Sequence, residues 1–325
     1  MKYPVSIIVP VYGVEKYIER CAISLFEQTM GNIEYIFVDD CSPDNSINIL
    51  KSVLSRYDNR IPHTRIVRMQ KNSGQAAVRR YGLSLATGEY VIHCDSDDWV
   101  ELDMYETLYA TAANGNYDIV ICDYYNSQNN GINTHITQQV SEDKNEFIRG
   151  MLNESIHASL WNKLVRRSLY SNDIIFPKDN LREDLTLMVQ FAYYANSIKY
   201  INAPYYHYYC NENSITGNNV NISKRISLIE QSIRNFGLLE VFLKKMLLTN
   251  SFSSEIFNMK CRLKAYAFTL LLKKGGYKEW NSLFPEINIK NLLLSDLHIS
   301  SKIGYVIAKL HLYPTYWFIK NRLRR

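Results

Sequence analysis

The first apolar run, Val5–Val11 (VSIIVPV), is too short for a helix and rich in β-branched residues, which predicts a strand buried on both faces. From about Val14 to Gln28 the period changes. Tyr17, Ile18, Cys21 and Leu25 recur at three- and four-residue spacing, as one face of a helix does. Glu34–Val38 (EYIFV) predicts a second strand. Ser42-Pro43-Asp44 then has the composition of a helix start: a capping side chain, a proline for the first turn and an acid for the positive end of the dipole. The helix it opens carries Ile47, Leu50, Val53 and Leu54. Strand signals at Arg65–Met69 and Glu89–Cys94 bracket a helix over about Gln75–Ala86, and another strand follows at Asp118–Cys122. Strands alternating with helices predict βαβ units and an α/β fold with a mostly parallel sheet. Residues 126–145 are rich in Ser, Gln, Asn, Gly and Thr and predict a long polar loop, while residues 146–220 show no clean period. From about Asn221 the pattern is helical, with apolar periodic stretches at Ile226–Leu248 and Phe252–Leu272. Two domains are therefore expected, over residues 1–220 and 221–325.

Charge sharpens that division. The formal net charge is +5, but residues 1–222 hold 19 Lys/Arg against 26 Asp/Glu and residues 223–325 hold 18 against 6. An acidic first part is thus followed by a basic helical region. Met1–Pro4 lacks the plan of a signal peptide, and no stretch approaches about 18 uncharged apolar residues. The six cysteines (Cys21, Cys41, Cys94, Cys122, Cys210, Cys261) form no close pair of the kind that zinc or redox chemistry uses, and several lie in apolar runs. These features predict a cytoplasmic protein.

Candidate chemistry gathers where the strands end. In an open parallel sheet, ligands bind beyond the carboxyl ends of the strands. The first strand ends at Pro10-Val11-Tyr12-Gly13, the second at Asp39-Asp40-Cys41-Ser42 and the fourth at Asp95-Ser96-Asp97-Asp98. Five carboxylates on one edge repel each other unless a cation or hydrogen-bond donors neutralise them. If this segment is extended, Asp95 and Asp97 face one side, with Asp98 at the turn. Oxygen ligands of this kind suit Mg²⁺ or Mn²⁺, which usually completes its shell with waters and substrate phosphates. Solvated turn acids are the plain alternative.

The segments VSIIVPVYGVEKYIERCAISLFEQ, EYIFVDDCSPDNS, NSGQAAVRRYGLSLATGEYVIHCDSDDW, WNKLVRRSL and LREDL, in that order over roughly residues 4–210, resemble family 2 glycosyltransferases of the GT-A fold. The resemblance implies that Pro10, Tyr12 and Asp40, with Glu15 and Asp39 close by, hold the uridine of a UDP-sugar. It implies a D-x-D motif in which Asp95 and Asp97 serve the nucleotide while Asp97 and Asp98 serve Mn²⁺ or Mg²⁺. Arg79 falls near the nucleotide. Arg80 stands where the family commonly has Asn, so no role carries over to it. Glu183-Asp184 matches the place of the catalytic base, with Asp184 first and Glu183 second, in an inverting single displacement; the same pair also reads simply as helix N-terminal acids. Trp161 and Lys163 lie in a segment that flanks the acceptor, where a core Trp is equally consistent. His207 reads either as a hydrogen-bonded core residue or as a pyrophosphate contact. Asn72-Ser73-Gly74 reads either as a phosphate-facing turn or as a plain one.

The last hundred residues fall outside the resemblance. There Ile303, Val306, Ile307 and Leu310 form an apolar face beside Lys302 and Lys309. Pro314 interrupts it, and Tyr316–Ile319 precede the basic run Lys320–Arg325. Aromatic residues beside cations suit an anionic membrane surface and an acceptor that is a glycan or lipid-linked glycan; the alternative is a helical subdomain with a solvated basic face. No nucleic-acid module is present in the sequence. A nucleotidyltransferase or a dehydrogenase fits poorly, since the loop after the first strand has one Gly, no basic residue and no G-x-G-x-x-G. A non-catalytic scaffold that keeps the fold is the competing class, and the retained acids argue against it.

Overall fold

Val5–Val11 forms β1 at the middle of a nine-stranded sheet, flanked on one side by β2 (Ile33–Asp39) and on the other by a later strand. The computed structural model describes residues 3–210 and 221–322 of the chain. Two compact units divide it, Met1–Gly217 and Asn218–Arg325.

In the first unit β1 and β2 pair in parallel with β3 (Thr64–Arg68) and β4 (Tyr90–His93), in the order β3-β2-β1-β4. The helices α1 (Ile18–Phe26), α2 (Ser46–Leu54) and α3 (Gln75–Leu85) make the crossovers. β5 (Trp99–Val100) and α4 (Met104–Gly115) lead to β6 (Ile119–Ser127), β7 (Asn133–Ile136), α5 (Lys144–Leu152), β8 (Lys163–Arg166), α6 (Glu183–Tyr194) and β9 (Ile198–Tyr209). β8 runs antiparallel to both β4 and β6, β9 runs parallel to β6, and β5 runs antiparallel to β9. Only the β3-β2-β1-β4 half is uniformly parallel, because the second half is joined partly by hairpin-like returns. Register decides where the site opens. Val11 lies opposite Asp39 and Ile8 opposite His93, so β1, β2 and β4 release their carboxyl ends on one edge.

Several element boundaries differ from the pattern-based expectation, each for a local reason. α1 begins at Ile18, after a turn in which Tyr17 and Ile18 amides donate to Val14. α2 begins at Ser46, because the Ser42 hydroxyl accepts the Gly13 amide and the Asp44 carboxylate is shared between the Glu15 amide and the amide and hydroxyl of Ser46. The polar stretch 126–145 contains the end of β6 and the whole of β7, a hairpin whose exposed face needs no apolar residues. The Phe252–Leu272 pattern is split between α8 (Ser253–Tyr266) and a 3₁₀ turn, Ala267–Leu272.

The second unit is helical. α7 (Ile222–Lys245), α8, α9 (Gly276–Ser282), α10 (Ile289–Leu294), α11 (Ile299–Lys309) and α12 (Tyr313–Arg322) surround Ile229, Phe268, Trp280 and Tyr305. Pro314 sits in the first turn of α12, where a missing N–H costs nothing. The basic residues Arg324 and Arg325 lie outside the described residues. Among the described residues no helix is long and apolar enough to cross a membrane.

α3 packs closely against β1 at Gly82, where an added Cβ would fall 2.5 Å from Ile8 Cγ2. Gly82→Ala is expected to destabilise the first unit by about 1–3 kcal/mol despite alanine's better helix propensity. A lower urea midpoint at unchanged slope would register it.

Candidate active site at the strand ends

The loop after β1 is tied down by α2's approach. The Gly13 and Val14 amides donate to Ser42 and Ser46 hydroxyls, the Glu15 amide to Asp44, and the Glu15 carboxylate accepts from the Asn45 amide. This leaves Pro10 half-buried and Tyr12 projecting, 50% exposed, at the end of β1.

The acids at the end of β2 turn inward. Asp39 accepts from the Ser42 amide at 2.7 Å and pairs with Arg68. Asp40 accepts from the Ser73 and Gly74 amides at 2.7 and 2.9 Å. The Asn72–Gly74 turn therefore serves Asp40 rather than presenting these two amides to a phosphate. Gly74 has φ +83°, and a side chain there would strike Asn180, whose Oδ1 accepts the Ala76 amide at the start of α3.

Asp95–Asp98 is a turn closed by the Asp98 amide on the Asp95 carbonyl, not the extended segment that would set Asp95 and Asp97 side by side. Asp95 accepts from Arg79 at 2.6 Å and from Gln75 at 3.1 Å. Asp98 is 1% exposed, its oxygens accepting the Tyr206 hydroxyl at 2.6 Å and the Tyr209 amide at 2.7 Å. Burial raises the Asp98 carboxyl well above the usual range, reinforced by the charges of Asp97 and Asp95. Asp98 thus anchors the turn through both carboxylate oxygens. Asp97 stays half-buried on the turn, its carbonyl accepting from Arg20, whose guanidinium lies 3.6 Å over the Trp99 ring. Hydrogen-bond donors of the protein itself thus neutralise Asp39, Asp40, Asp95 and Asp98. Among the described residues no three His, Cys, Asp or Glu side chains converge closely enough to hold a metal by themselves. That donor set still suits Mg²⁺ or Mn²⁺, which is commonly held by one or two carboxylates together with substrate phosphates and waters.

Arg79 joins this turn to α6. One nitrogen binds Asp95 and the other Glu183, and all three side chains are largely buried. Burial opposes the charge of Arg79, but Asp95, Glu183 and Asp184 outweigh it and hold the guanidinium above its ordinary value. Burial pushes the Glu183 carboxyl up to about 7 while Arg79 pulls it down. The chain enters α6 through Arg182, in the left-handed region at φ +64°, so that Glu183 is 2% exposed while Asp184 remains half-buried. Glu183 is thus committed to Arg79, whereas Asp184 is half-buried.

Residues 6–173 match glycosyl transferase family 2, slightly more than half of the chain. The chain belongs to that family. GlyG of Streptococcus pneumoniae, a glycosyltransferase, is 31% identical over 237 residues, covering 70% of this chain and 77% of GlyG. EpsH of Bacillus subtilis is 36% identical over 219 residues, covering 65% of this chain and 62% of EpsH, so the chain spans less than two thirds of that relative. S. aureus TarS in complex with UDP-GlcNAc superposes with a TM-score of 0.59 at 19% identity, covering 100% of this chain and 92% of that one. The fold is thus the GT-A fold that the resemblance implied.

Among family 2 motifs, W-N-K-L supplies a residue whose importance only the structure reveals. Lys163 is fully buried and, among the described residues, has no carboxylate partner; its ammonium donates to the carbonyls of His157 and Ser159 and to Asn162 Oδ1 at 2.7–2.9 Å. Trp161 stacks on Tyr206 at 4.3 Å, so the residue whose hydroxyl holds Asp98 and receives the Asp95 amide is itself braced. In the uniform aromatic run Tyr205–Tyr209 nothing local distinguishes Tyr206 from its neighbours. His207 lies between the Trp99 and Tyr125 rings with its nitrogens on Ser127 and Glu101, the core role of the two left open.

Arg79→Met leaves Glu183 buried without its counter-charge and is expected to cost about 3–5 kcal/mol near neutral pH. Because the folded pKa of Glu183 lies above its unfolded value, protonation relieves this cost at low pH. The deficit should widen as pH rises through about 7. Denaturant unfolding at pH 5 and pH 8 measures the difference.

Proposed function

We propose that this chain is an inverting glycosyltransferase that moves a sugar from a UDP-sugar to an acceptor hydroxyl in the synthesis of cell-surface polysaccharide or a lipid-linked glycan. The observation that carries the reading is the Arg79 bridge, which gathers the β4-end acids and the start of α6 into one site. Pro10 and Tyr12 flank the uridine. Glu15, Asp39 and Asp40 shape its pocket, and a carboxylate's four lone-pair positions leave Asp40 capacity for a base N–H beyond the two amides it accepts. The UDP-GlcNAc carried by TarS on the same fold supports this donor class. Asp97, together with the substrate diphosphate and waters, would hold Mn²⁺ or Mg²⁺, which supplies charge neutralisation for the departing diphosphate. Asp184 takes the proton from the acceptor hydroxyl as its oxygen bonds to the anomeric carbon and the bond to UDP breaks.

The second unit supports a peripheral place at an anionic membrane on the cytoplasmic side. Ile299, Ile303, Val306 and Leu310 form an exposed stripe on α11, opposite the buried Gly304, Tyr305 and Ala308, within a region of strong positive charge. Ile303→Glu/Leu310→Glu is expected to abolish cosedimentation with phosphatidylglycerol vesicles while leaving UDP affinity unchanged. Equal sedimentation of the variant would remove the membrane from this account.

Calorimetry with UDP, with and without Mn²⁺, tests the donor side. Metal-dependent binding lost in Asp97→Ala is expected; no binding with any metal refutes the donor assignment. Asp184→Asn is expected to keep UDP affinity and to lower transfer by about 10²–10⁴-fold. Undiminished turnover in that variant would remove Asp184 from the base role, and absence of turnover in the wild type with every UDP-sugar would favour the scaffold class.

A further inference from the structure

Helix α1 is laced to the acidic turn and to the chain beyond it. The Cys21 thiol lies 3.8 Å from the Asp95 carbonyl, and the Ser24 hydroxyl accepts the Val100 amide at 3.3 Å. Just past the helix, Gln28 donates to the Glu101 carbonyl at 2.7 Å and accepts the Tyr105 amide at 3.3 Å. Arg20 is the charged member of this series, its Nη2 donating to the Asp97 carbonyl at 3.0 Å. Among the described residues that carbonyl is the one hydrogen-bond acceptor Arg20 has, and its Nε is buried without a partner.

The guanidinium is held by shape. Its carbon lies 3.6 Å from the centre of the Trp99 ring and 4.6 Å from that of Tyr209. The two rings stand 6.2 Å apart at 52°, so the guanidinium fills the corner between them. Both rings are themselves braced: Trp99 stacks on His207 at 4.6 Å and 12°, and Tyr209 packs against Tyr17 at 5.4 Å. A planar cation lodged in such a corner has one orientation, whereas a lysine ammonium on its flexible stem does not. The direction of the Nη2–H bond is therefore fixed. It meets a peptide already held at its other end. The Asp98 amide, in the same peptide unit as the Asp97 carbonyl, closes on the Asp95 carbonyl at 3.1 Å. A peptide unit is rigid and planar, so gripping both ends fixes ψ of Asp97 and the direction in which its Cβ leaves the turn.

We propose that Arg20 is a positioning residue for the metal carboxylate. By holding the Asp97–Asp98 peptide against the Asp95 carbonyl, it aims Asp97 at the cation shared with the donor diphosphate. It also ties that turn to the helix that leads from the Tyr12–Glu15 loop, which keeps the uridine side and the metal side of the site in register. This rests on the role given to Asp97 above and adds what sets its aim; Arg20 touches no reacting atom.

Calorimetry on the full chain measures UDP affinity with and without Mn²⁺, and the ratio of the two reads the aim of Asp97. Arg20→Met and Arg20→Lys should each cut that ratio about tenfold, while metal-free UDP affinity stays within about twofold of wild type. In an Asp97→Ala background, Arg20→Met should change UDP affinity with Mn²⁺ by less than about twofold, as a residue acting through Asp97 requires. A lysine variant with the wild-type ratio overturns the proposal, since charge alone would then suffice. So does a full tenfold loss on adding Arg20→Met to Asp97→Ala. If Arg20→Met fails to fold, Arg20→Lys decides. Hydrogen exchange of the Asp98 amide without ligand supplies an arm independent of the donor. Exchange faster by about tenfold in the Arg20 variants supports the role, and an unchanged rate refutes it. Absence of Mn²⁺-dependent UDP binding in the wild type strikes the donor reading instead, and the exchange rate then decides whether Arg20 holds the turn.

Discussion

A buried arginine between two carboxylates holds this site together. Arg79 projects from α3 and binds Asp95 at the end of β4 and Glu183 at the start of α6, elements 16 and 104 residues away in sequence. The guanidinium is the charge on which the other two depend, because removing Arg79 leaves both carboxylates without a counter-charge. The bridge therefore sets the spacing between the strand-end turn and the half-buried Asp184, and nothing in either element alone would set it.

A second layer of constraint works through neutral groups. The Tyr206 hydroxyl receives the Asp95 amide and donates to Asp98, and its ring is stacked under Trp161. Trp161 belongs to the segment folded around the Lys163 ammonium. A core lysine, an aromatic stack and an acidic turn are thus coupled in sequence, which braces the turn from beneath. Preorganisation of this kind lets a site meet a charged ligand without reorganising.

The strand-end acids also show that an acidic edge need not signal one role. Asp39, Asp40 and Asp98 fold the loops around the site and Asp95 completes the Arg79 bridge, while Asp97 and Asp184 are half-buried. The same residue type at neighbouring positions thus differs in burial and in partner.

Much of this was legible in the sequence. Continuous apolar runs bounded by polar turns determined β1, β2 and β4, since a strand buried on both faces admits little else, and the order of short motifs determined the family. The helical second unit followed from period alone. What the sequence left open were choices among equivalent local chemistries. Ser42 and Asp44 can cap a helix or accept amides from another loop, Asp97 and Asp98 can exchange roles, and Glu183 and Asp184 are both acids in one turn. Which of these side chains is buried or engaged was decided by a partner distant in sequence: Gly13 and Glu15 for the first pair, Tyr206 and Tyr209 for Asp98, and Arg79 for Glu183. Hydrogen bonds and ion pairs across such separations depend on packing of the whole sheet, and only the tertiary structure brings those partners within reach.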